Sequence, residues 1–359
     1  MNPTKPIRVL IVDDSALVRK MLSTALAGDK QIEVVGTAPD AFIARDKILS
    51  LNPDVITLDI EMPRMDGITF LKKLMQFRPI PVIVISSLGH AACQASVDAL
   101  RAGAVEILCK PNGPCSVGEL GITLAEKIRT AASARLPIRG LDRETPAKTN
   151  DMVSALKPPS TGGAHYDKNK IIVIGASTGG PGAIAEVLGG LPSATPPILV
   201  VQHMPPVFTT HFATRLNQDC QIDVKEAADG DELIAGRALI APGNLHMTLK
   251  KSSTGFRVQI SDGPQVCFSR PSVDVLFHSV ASVAKGHAIG ILLTGMGADG
   301  ARGLVEMRKA GAFTIAQNEE TCVVFGMPRE AIRMGAVEKV LPLNQIAGSI
   351  VSQMILAPV

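Results

Sequence analysis

The chain has 359 residues, enough for two or three domains, and its 46% hydrophobic and 19% charged content supports a core in each. A net charge of +3 is too small for a nucleic-acid binder that works mainly through phosphate contacts. With no Trp and one Tyr, the chain also lacks the aromatic platforms on which single strands stack.

The six cysteines are Cys93, Cys109, Cys115, Cys220, Cys267 and Cys322. They form no C-x-x-C pair and show no Cys/His metal-ligand spacing. They read as small buried hydrophobes in a reducing compartment. The polar stretch Met1–Arg8 leads straight into a strand pattern, without the apolar core of a signal peptide. Residues Val187 to Thr214 carry no Asp, Glu, Lys or Arg, but Gly and Pro break the stretch repeatedly. A buried α/β core is expected there rather than a membrane span. The expectation is a cytoplasmic protein with no membrane insertion and no nucleic-acid partner.

In chain order, strand patterns fall at Ile7–Val12, Ile32–Thr37, Val55–Leu58, Val82–Ile85 and Val105–Cys109. Helical patterns lie between them at Ala16–Ala27, Ala41–Leu51, Ile68–Met75 and Ala91–Ala102, with another at Val117–Ala134. Five β-α units of this length predict an α/β, doubly wound, five-stranded parallel sheet. Their near-continuous apolar strands suit a sheet covered on both faces. From about Leu136 to Asn169, prolines and a Thr161-Gly162-Gly163 run sit among charges, which reads as a linker. A short helix near Asp151–Leu156 is compatible with it. Alternation resumes with strands at Ile171–Ile174, Ile198–Val201, Ala238–Ile240, Arg257–Ile260, Ala288–Leu293 and Ala312–Ala316. The expected division is a first domain at residues 5–130, a linker at 131–168, and an α/β domain with a mostly parallel sheet at 169–359.

Ligands of an open parallel sheet sit outside the carboxyl ends of its strands. Asp13 and Asp14 follow the first strand, Asp59 ends the third, Ser86 ends the fourth, and Lys110, followed by Pro111, ends the fifth. Three clustered carboxylates repel one another and call for a divalent cation such as Mg²⁺. A carboxylate beside such a cation can attack phosphorus to form an acyl phosphate, with Lys110 and Ser86 holding phosphoryl oxygens. Taken singly, Asp14 or Asp66 could equally be helix caps. Together with Met62-Pro63 and Asp66-Gly67, these residues resemble a two-component receiver domain. The resemblance implies Asp59 as phosphoacceptor, and Asp13, Asp14, Asp59 and the Glu61 backbone carbonyl around Mg²⁺. One departure is Ile107, which stands where many receivers carry a switching aromatic.

In the second domain, strand Ile171–Ile174 runs into Gly175-Ala176-Ser177-Thr178-Gly179-Gly180, then a helical pattern at Ala183–Leu188. This Gly-x-Ser-x-Gly turn exposes Ser177 near a helix N-terminus. A serine hydroxyl needs a base. The next strand ends in Gln202-His203, which brings His203 to the same rim; His246, in a turn-rich segment, is the second candidate. A third loop, Thr294-Gly295-Met296-Gly297-Ala298-Asp299-Gly300, can supply Asp299 to orient His203 and the Met296 backbone N–H to an oxyanion hole. The alternative reading is that Asp299 only caps the helix that follows. A dinucleotide site is the rival reading of the first loop, but it wants an acidic residue where this chain has Gln202-His203.

These loops, with Arg270-Pro271-Ser272-Val273-Asp274 and the segment Gln317 to Pro328, resemble the catalytic domain of chemotaxis protein-glutamate methylesterases, the CheB family. Together with the receiver the resemblance covers the whole chain. It implies Ser177 as nucleophile, His203 as base and Asp299 as orienter, with no cofactor for ester hydrolysis. It further implies a phosphorylation-activated enzyme that removes methyl groups from glutamates of chemoreceptors and deamidates their glutamines, with a chemotaxis histidine kinase as phosphodonor. Two other readings stay open: a receiver-regulated serine esterase with another substrate, and a binding module without turnover.

Overall fold

A computed structural model describes residues 5–87, 89–110, 117–136, 167, 170–253 and 255–355. The chain divides into two compact units, Met1–Arg139 and Gly140–Val359. The short helix expected near Asp151–Leu156, Cys115 and Pro111 lie outside the described residues, as does most of the expected linker.

In the first unit the described elements are β1 (Ile7–Val12), α1 (Ala16–Leu26), β2 (Ile32–Ala38), α2 (Ala41–Leu51), β3 (Val55–Leu58), α3 (Gly67–Phe77), β4 (Val82–Ser86), α4 (His90–Arg101), β5 (Glu106–Cys109) and α5 (Val117–Ala132). The strands pair in the order β2-β1-β3-β4-β5, all parallel. That is the doubly wound order with its switch point between β1 and β3. Val9–Val12 and Val82–Ile85 are essentially inaccessible, as expected of strands covered on both faces. Polar side chains begin α1, α2 and α3. Ser15 accepts from the Val18 N–H, Asp40 from Phe42 and Ile43, and Asp66 from Thr69. So Asp66 is a cap. Asp14 is not, because its neighbour Ser15 takes that role.

The second unit continues with β6 (Ile171–Ala176), α6 (Gly180–Gly189), β7 (Ile198–Gln202), α7 (Phe208–Asp219), β8 (Asp223–Glu226), β9 (Arg237–Ile240), β10 (His246–Lys251), β11 (Phe256–Ser261), α8 (Val273–Val283), β12 (Ala288–Leu292), α9 (Ala301–Lys309), β13 (Phe313–Gln317), α10 (Met327–Arg333), β14 (Lys339–Leu341) and α11 (Leu343–Met354). Seven strands form one sheet in the order β14-β13-β12-β6-β7-β9-β8, and every pairing in it is parallel. Among the described strands, antiparallel pairing occurs in a separate hairpin, β10–β11. Leu199, Val201, Met247, Leu249, Leu276 and Phe277 join sheet, hairpin and α8 in one core. The charge-free stretch Val187–Thr214 spans the end of α6, all of the buried strand β7 and the start of α7. Among the described residues no helix is long and apolar enough to cross a membrane.

The cysteines only partly meet expectation. Cys93 and Cys322 are buried, Cys109 and Cys220 are half-buried, and Cys267 is exposed; all five are free thiols. Cys267 is exposed because it sits in a tight loop after β11, outside any strand or helix, where no core is available to it.

Candidate functional sites

The acidic site of the first unit forms at the carboxyl ends of its strands. Asp13 and Asp59 are buried, whereas Asp14 is exposed. One carboxylate oxygen from each of the three lies within 4.8 Å of the others. Lys110 Nζ lies 2.7 Å from Asp59 Oδ2 and 3.0 Å from Asp13 Oδ2, so one ammonium bridges two carboxylates. Burial and the Asp59 charge together push the Asp13 carboxyl above its ordinary range, against the pull of Lys110. Burial draws Lys110 down, but its bonds to Asp59 and Asp13 leave it above its ordinary value. A buried carboxyl pushed upward by burial and by a neighbouring carboxylate marks a site short of positive charge, and this cluster of carboxylate oxygens is the donor set a hard divalent cation fits. Gly67 is required beside it: a Cβ there would lie 2.2 Å from the Asp59 carbonyl oxygen.

Ser86 is buried at the end of β4, with its Oγ 3.4 Å from the Ala92 carbonyl oxygen. The Glu61 N–H donates to Asp59 Oδ1 at 3.3 Å, which folds the β3–α3 loop back over the carboxylate. Ile107 is buried within β5, paired with Val84.

In the second unit the strand order reverses at β6: β7, β9 and β8 lie to one side, β12, β13 and β14 to the other. The crevice at such a switch point is where an open α/β sheet holds its ligand. Ser177 leaves β6, His203 leaves β7 and the Thr294–Gly300 loop leaves β12, so the sheet brings the three sequence segments together, and their close approach leaves Ser177 buried where its turn alone predicts exposure. Register places Ala176 against Gln202 and Gly175 against Leu292, one step before each loop. The Ser177 N–H donates to the Thr294 carbonyl at 3.0 Å, and the His203 N–H to the Ala176 carbonyl at 3.1 Å. Gly295 lets the loops approach; a Cβ there would lie 2.7 Å from Ser177 Cβ.

His203 Nε2 lies 2.8 Å from Asp299 Oδ2. An ionised carboxylate only accepts, so Nε2 carries the proton and Nδ1 keeps the lone pair. Nδ1 in turn lies 3.4 Å from Ser269 Oγ. Asp299 is buried, and its second oxygen is also fully engaged. Oδ1 accepts from Ser272 Oγ at 2.8 Å and the Asp274 N–H at 2.9 Å, while Oδ2 accepts from the Val273 N–H at 2.7 Å. Burial would raise the Asp299 carboxyl, but the bond from His203 and these backbone donors hold it below its ordinary range. Capping of the following helix does not account for Asp299. Helix α9 is capped by Gly300 without a side-chain bond, and Asp299 instead bonds the start of α8.

His246 is committed elsewhere. Its Nε2 lies 2.9 Å from the Pro264 carbonyl oxygen, and its Nδ1 accepts from the Ser272 N–H at 3.2 Å. It therefore braces the segment that holds Asp299 instead of serving as a base. Sequence reasoning assigned no role to Ser272, Ser269 or Gln202. Gln202 Nε2 donates to the Ser177 carbonyl at 2.9 Å and fastens the serine turn to β7. Only the placement of Gln202 and Ser272 inside motif segments pointed to them. Met296 stands half-exposed on the loop after β12.

The first unit is a receiver domain, and the second is a parallel-sheet α/β domain that collects a serine, a histidine and a buried aspartate at its switch point. Residues 172–350 match the family model of the CheB methylesterase, and residues 9–119 that of the response regulator receiver domain. The chain is 53% identical over 345 residues to protein-glutamate methylesterase/protein-glutamine glutaminase 2 of Syntrophus aciditrophicus, covering 96% of this chain and 98% of that protein. It is 50% identical over 344 residues to the protein-glutamate methylesterase/protein-glutamine glutaminase of Escherichia coli K12, covering 95% of each. The crystal structure of the Thermotoga maritima CheB methylesterase catalytic domain is similar at a TM-score of 0.51 and 40% identity, covering 52% of this chain and 98% of that one. The chain belongs to the CheB family of receiver-linked protein-glutamate methylesterases.

Proposed function

We propose that this protein is a phosphorylation-activated protein-glutamate methylesterase of chemotaxis adaptation, acting in the cytoplasm on glutamate methyl esters of chemoreceptors and also deamidating their glutamines. The observation that carries the reading is the buried Asp299 held on His203 Nε2 at the rim where Ser177 leaves β6. Residues 5–130 serve as receiver, 131–168 as linker and 169–359 as catalytic domain.

Ser177 Oγ attacks the ester carbonyl carbon while His203 Nδ1 takes its proton. Asp299 fixes the ring with Nδ1 turned away from the carboxylate and stabilises the imidazolium that forms. The Met296 N–H donates to the carbonyl oxygen as it becomes an oxyanion. The tetrahedral species collapses, His203 returns the proton, and methanol leaves an acyl-enzyme. Water then attacks with His203 as base, and the free carboxylate departs. With a glutamine side chain the same cycle releases ammonia; here protonation must keep pace with departure because an amide anion is a poor leaving group. The complete hydrogen bonding of Asp299 favours turnover over a binding module.

In the receiver, Asp59 is the phosphoacceptor, and the donor is a histidine kinase of the chemotaxis system. Asp13, Asp14, Asp59 and the Glu61 carbonyl would hold Mg²⁺, which when bound supplies charge neutralisation for attack by a carboxylate on phosphorus. Lys110 and Ser86 hold the transferred phosphoryl oxygens. The deciding experiment is methanol release from methylated receptor fragments: a folded, phosphorylated wild-type protein that releases none from receptors overturns the substrate assignment.

A further inference from the structure

We propose that Phe268 is a substrate-docking anchor of the catalytic domain. It would seat an apolar side chain that lies on the same helix face as the esterified glutamate. This deepens the reading of a receptor helix as substrate and rests on it.

The loop that carries Phe268 is built against its own local preference. Val266 and Ser269 exchange backbone hydrogen bonds of 3.1 and 2.9 Å, closing a two-residue turn over Cys267 and Phe268. Both central residues have positive φ, 51° and 60°. Two-residue turns with positive φ at both positions favour Asn and Gly, which tolerate the left-handed region. An aromatic residue there is an outlier, and an outlier held by its surroundings points to function. Folding gains nothing from the ring in return, since Phe268 is 98% exposed. Neither backbone preference nor core packing therefore accounts for a phenylalanine at this position.

The turn belongs to the edge of the catalytic site. The next residue, Ser269, places its Oγ 3.4 Å from His203 Nδ1, the atom that must take the proton of Ser177. The preceding residue, Cys267, has its Sγ within 4.8 Å of carboxylate oxygens of Asp274 and Asp299. The half-exposed Met296, on the same loop after β12 as Asp299, offers a second apolar surface. A substrate entering between these loops meets apolar side chains on the rim and polar atoms at the centre. On a helix, residues three, four or seven positions from the ester share its face. An apolar residue at one of those positions can cover Phe268 while the ester side chain reaches inward.

Two variants test this in the full-length protein with phosphodonor and Mg²⁺ present. Phe268→Asn suits the left-handed backbone and removes the apolar ring, whereas Phe268→Leu keeps an apolar side chain. Methanol release is followed from a methylated receptor fragment and from N-acetyl-glutamate γ-methyl ester, a small substrate with no helix. Phe268→Asn should raise KM for the receptor roughly tenfold, the size expected when one large apolar contact is lost. Its kcat on the receptor, and its kcat/KM on the small ester, should stay within about twofold of wild type, the ordinary reach of a substitution that touches no reacting group. Phe268→Leu should recover most of the receptor KM. An unchanged receptor KM in Phe268→Asn overturns the proposal. So does an equal loss on both substrates, which would make the turn a support for His203 only. If the wild type turns over the small ester but not the receptor, the receptor reading itself falls and this inference falls with it. A defect confined to the variants leaves that reading standing.

Discussion

Asp299 Oδ2 lies 2.8 Å from His203 Nε2, and the same carboxylate closes the first turn of α8 through the N–H groups of Val273 and Asp274. One buried residue thus sets the tautomer of His203 and pins the helix that follows the Ser269–Ser272 segment. The arrangement leaves Nδ1 as the basic nitrogen of His203. Positioning and helix capping here share the same atoms, so a substitution at Asp299 should disturb both.

Asp299→Asn should lower kcat for methanol release by about 10³- to 10⁴-fold, since the amide cannot hold the imidazole in the required tautomer or stabilise its charged form. Asp299 also makes acid stability testable. Its folded carboxyl is held below the ordinary range, so its contribution is present above the unfolded pKa of about 3.9 and is lost as pH falls through the folded value. Melting curves taken below about pH 4 should drop for the wild type more steeply than for Asp299→Asn. A variant with wild-type kcat would remove Asp299 from the mechanism.

Replacing the serine tests the other end of the relay. Ser177→Ala deletes one oxygen from a turn whose backbone bonds to Thr294 and Gln202 do not involve the hydroxyl. The protein should therefore fold normally and lose methanol release almost entirely, keeping only what the oxyanion donors achieve alone. Substantial turnover with an unchanged melting temperature would mean that another group is the nucleophile.

Much of this architecture was legible because the central strands are short apolar runs with chemistry at their ends. β1 and β3 fall where the apolar pattern puts them, and Asp13, Asp59 and Lys110 follow such strands. The elements that escaped sequence reasoning carry a weak pattern. β8 reads Asp-Val-Lys-Glu and β14 Lys-Val-Leu, and both are edge strands whose solvent side needs no apolar residue. β10 belongs to a hairpin outside the main sheet, so sheet order could not anticipate it. The roles of Ser272 and Ser269 were invisible for a different reason. Their partners Asp299 and His203 lie 27 and 66 residues away, and only the tertiary fold joins them. The exposure of Cys267 follows from the same turn that displays Phe268, and no local composition signals it.

The receiver offers a test through Asp13. Its folded carboxyl is raised by burial and by the charge of Asp59, so within the window above the unfolded pKa the folded state binds more protons than the unfolded one. Stability of this unit should then fall as pH rises through the folded Asp13 value. A divalent cation should reverse the effect. At a hundredfold excess over its Kd, binding would add about 2.7 kcal/mol to the wild-type receiver. Asp13→Asn should melt higher than wild type in EDTA and gain little from Mg²⁺. A variant that is less stable in EDTA, or equally responsive to Mg²⁺, would place the cation elsewhere. In the same protein Asp59→Asn should abolish labelling by a small phosphodonor; equal labelling would move the phosphoacceptor to another residue.

Coupling between the units is testable without knowing how they meet. A receiver joined to a hydrolase is useful as a switch only if its phosphorylation changes the hydrolase rate. A receptor helix bundle is bulky, so the rim around Ser177, His203 and Asp299 must be open to it, and a receiver covering that rim would inhibit. Interfaces between domains are often modest in area and polar, and so are readily shifted. About 1–3 kcal/mol of coupling from the phosphoryl group would change activity roughly 5- to 150-fold. Ile107, buried in β5, offers no aromatic ring to flip, so the expected route for the signal is the β4–α4 side, which begins at the buried Ser86. A fragment beginning near residue 169 keeps the whole seven-stranded sheet and its core. That fragment should release methanol faster than the unphosphorylated full chain. Phosphodonor and Mg²⁺ should raise the rate of the full chain and leave the fragment unchanged. A folded fragment slower than the unphosphorylated chain would mean that the receiver helps to position substrate, and inhibition by covering the rim would have to be abandoned.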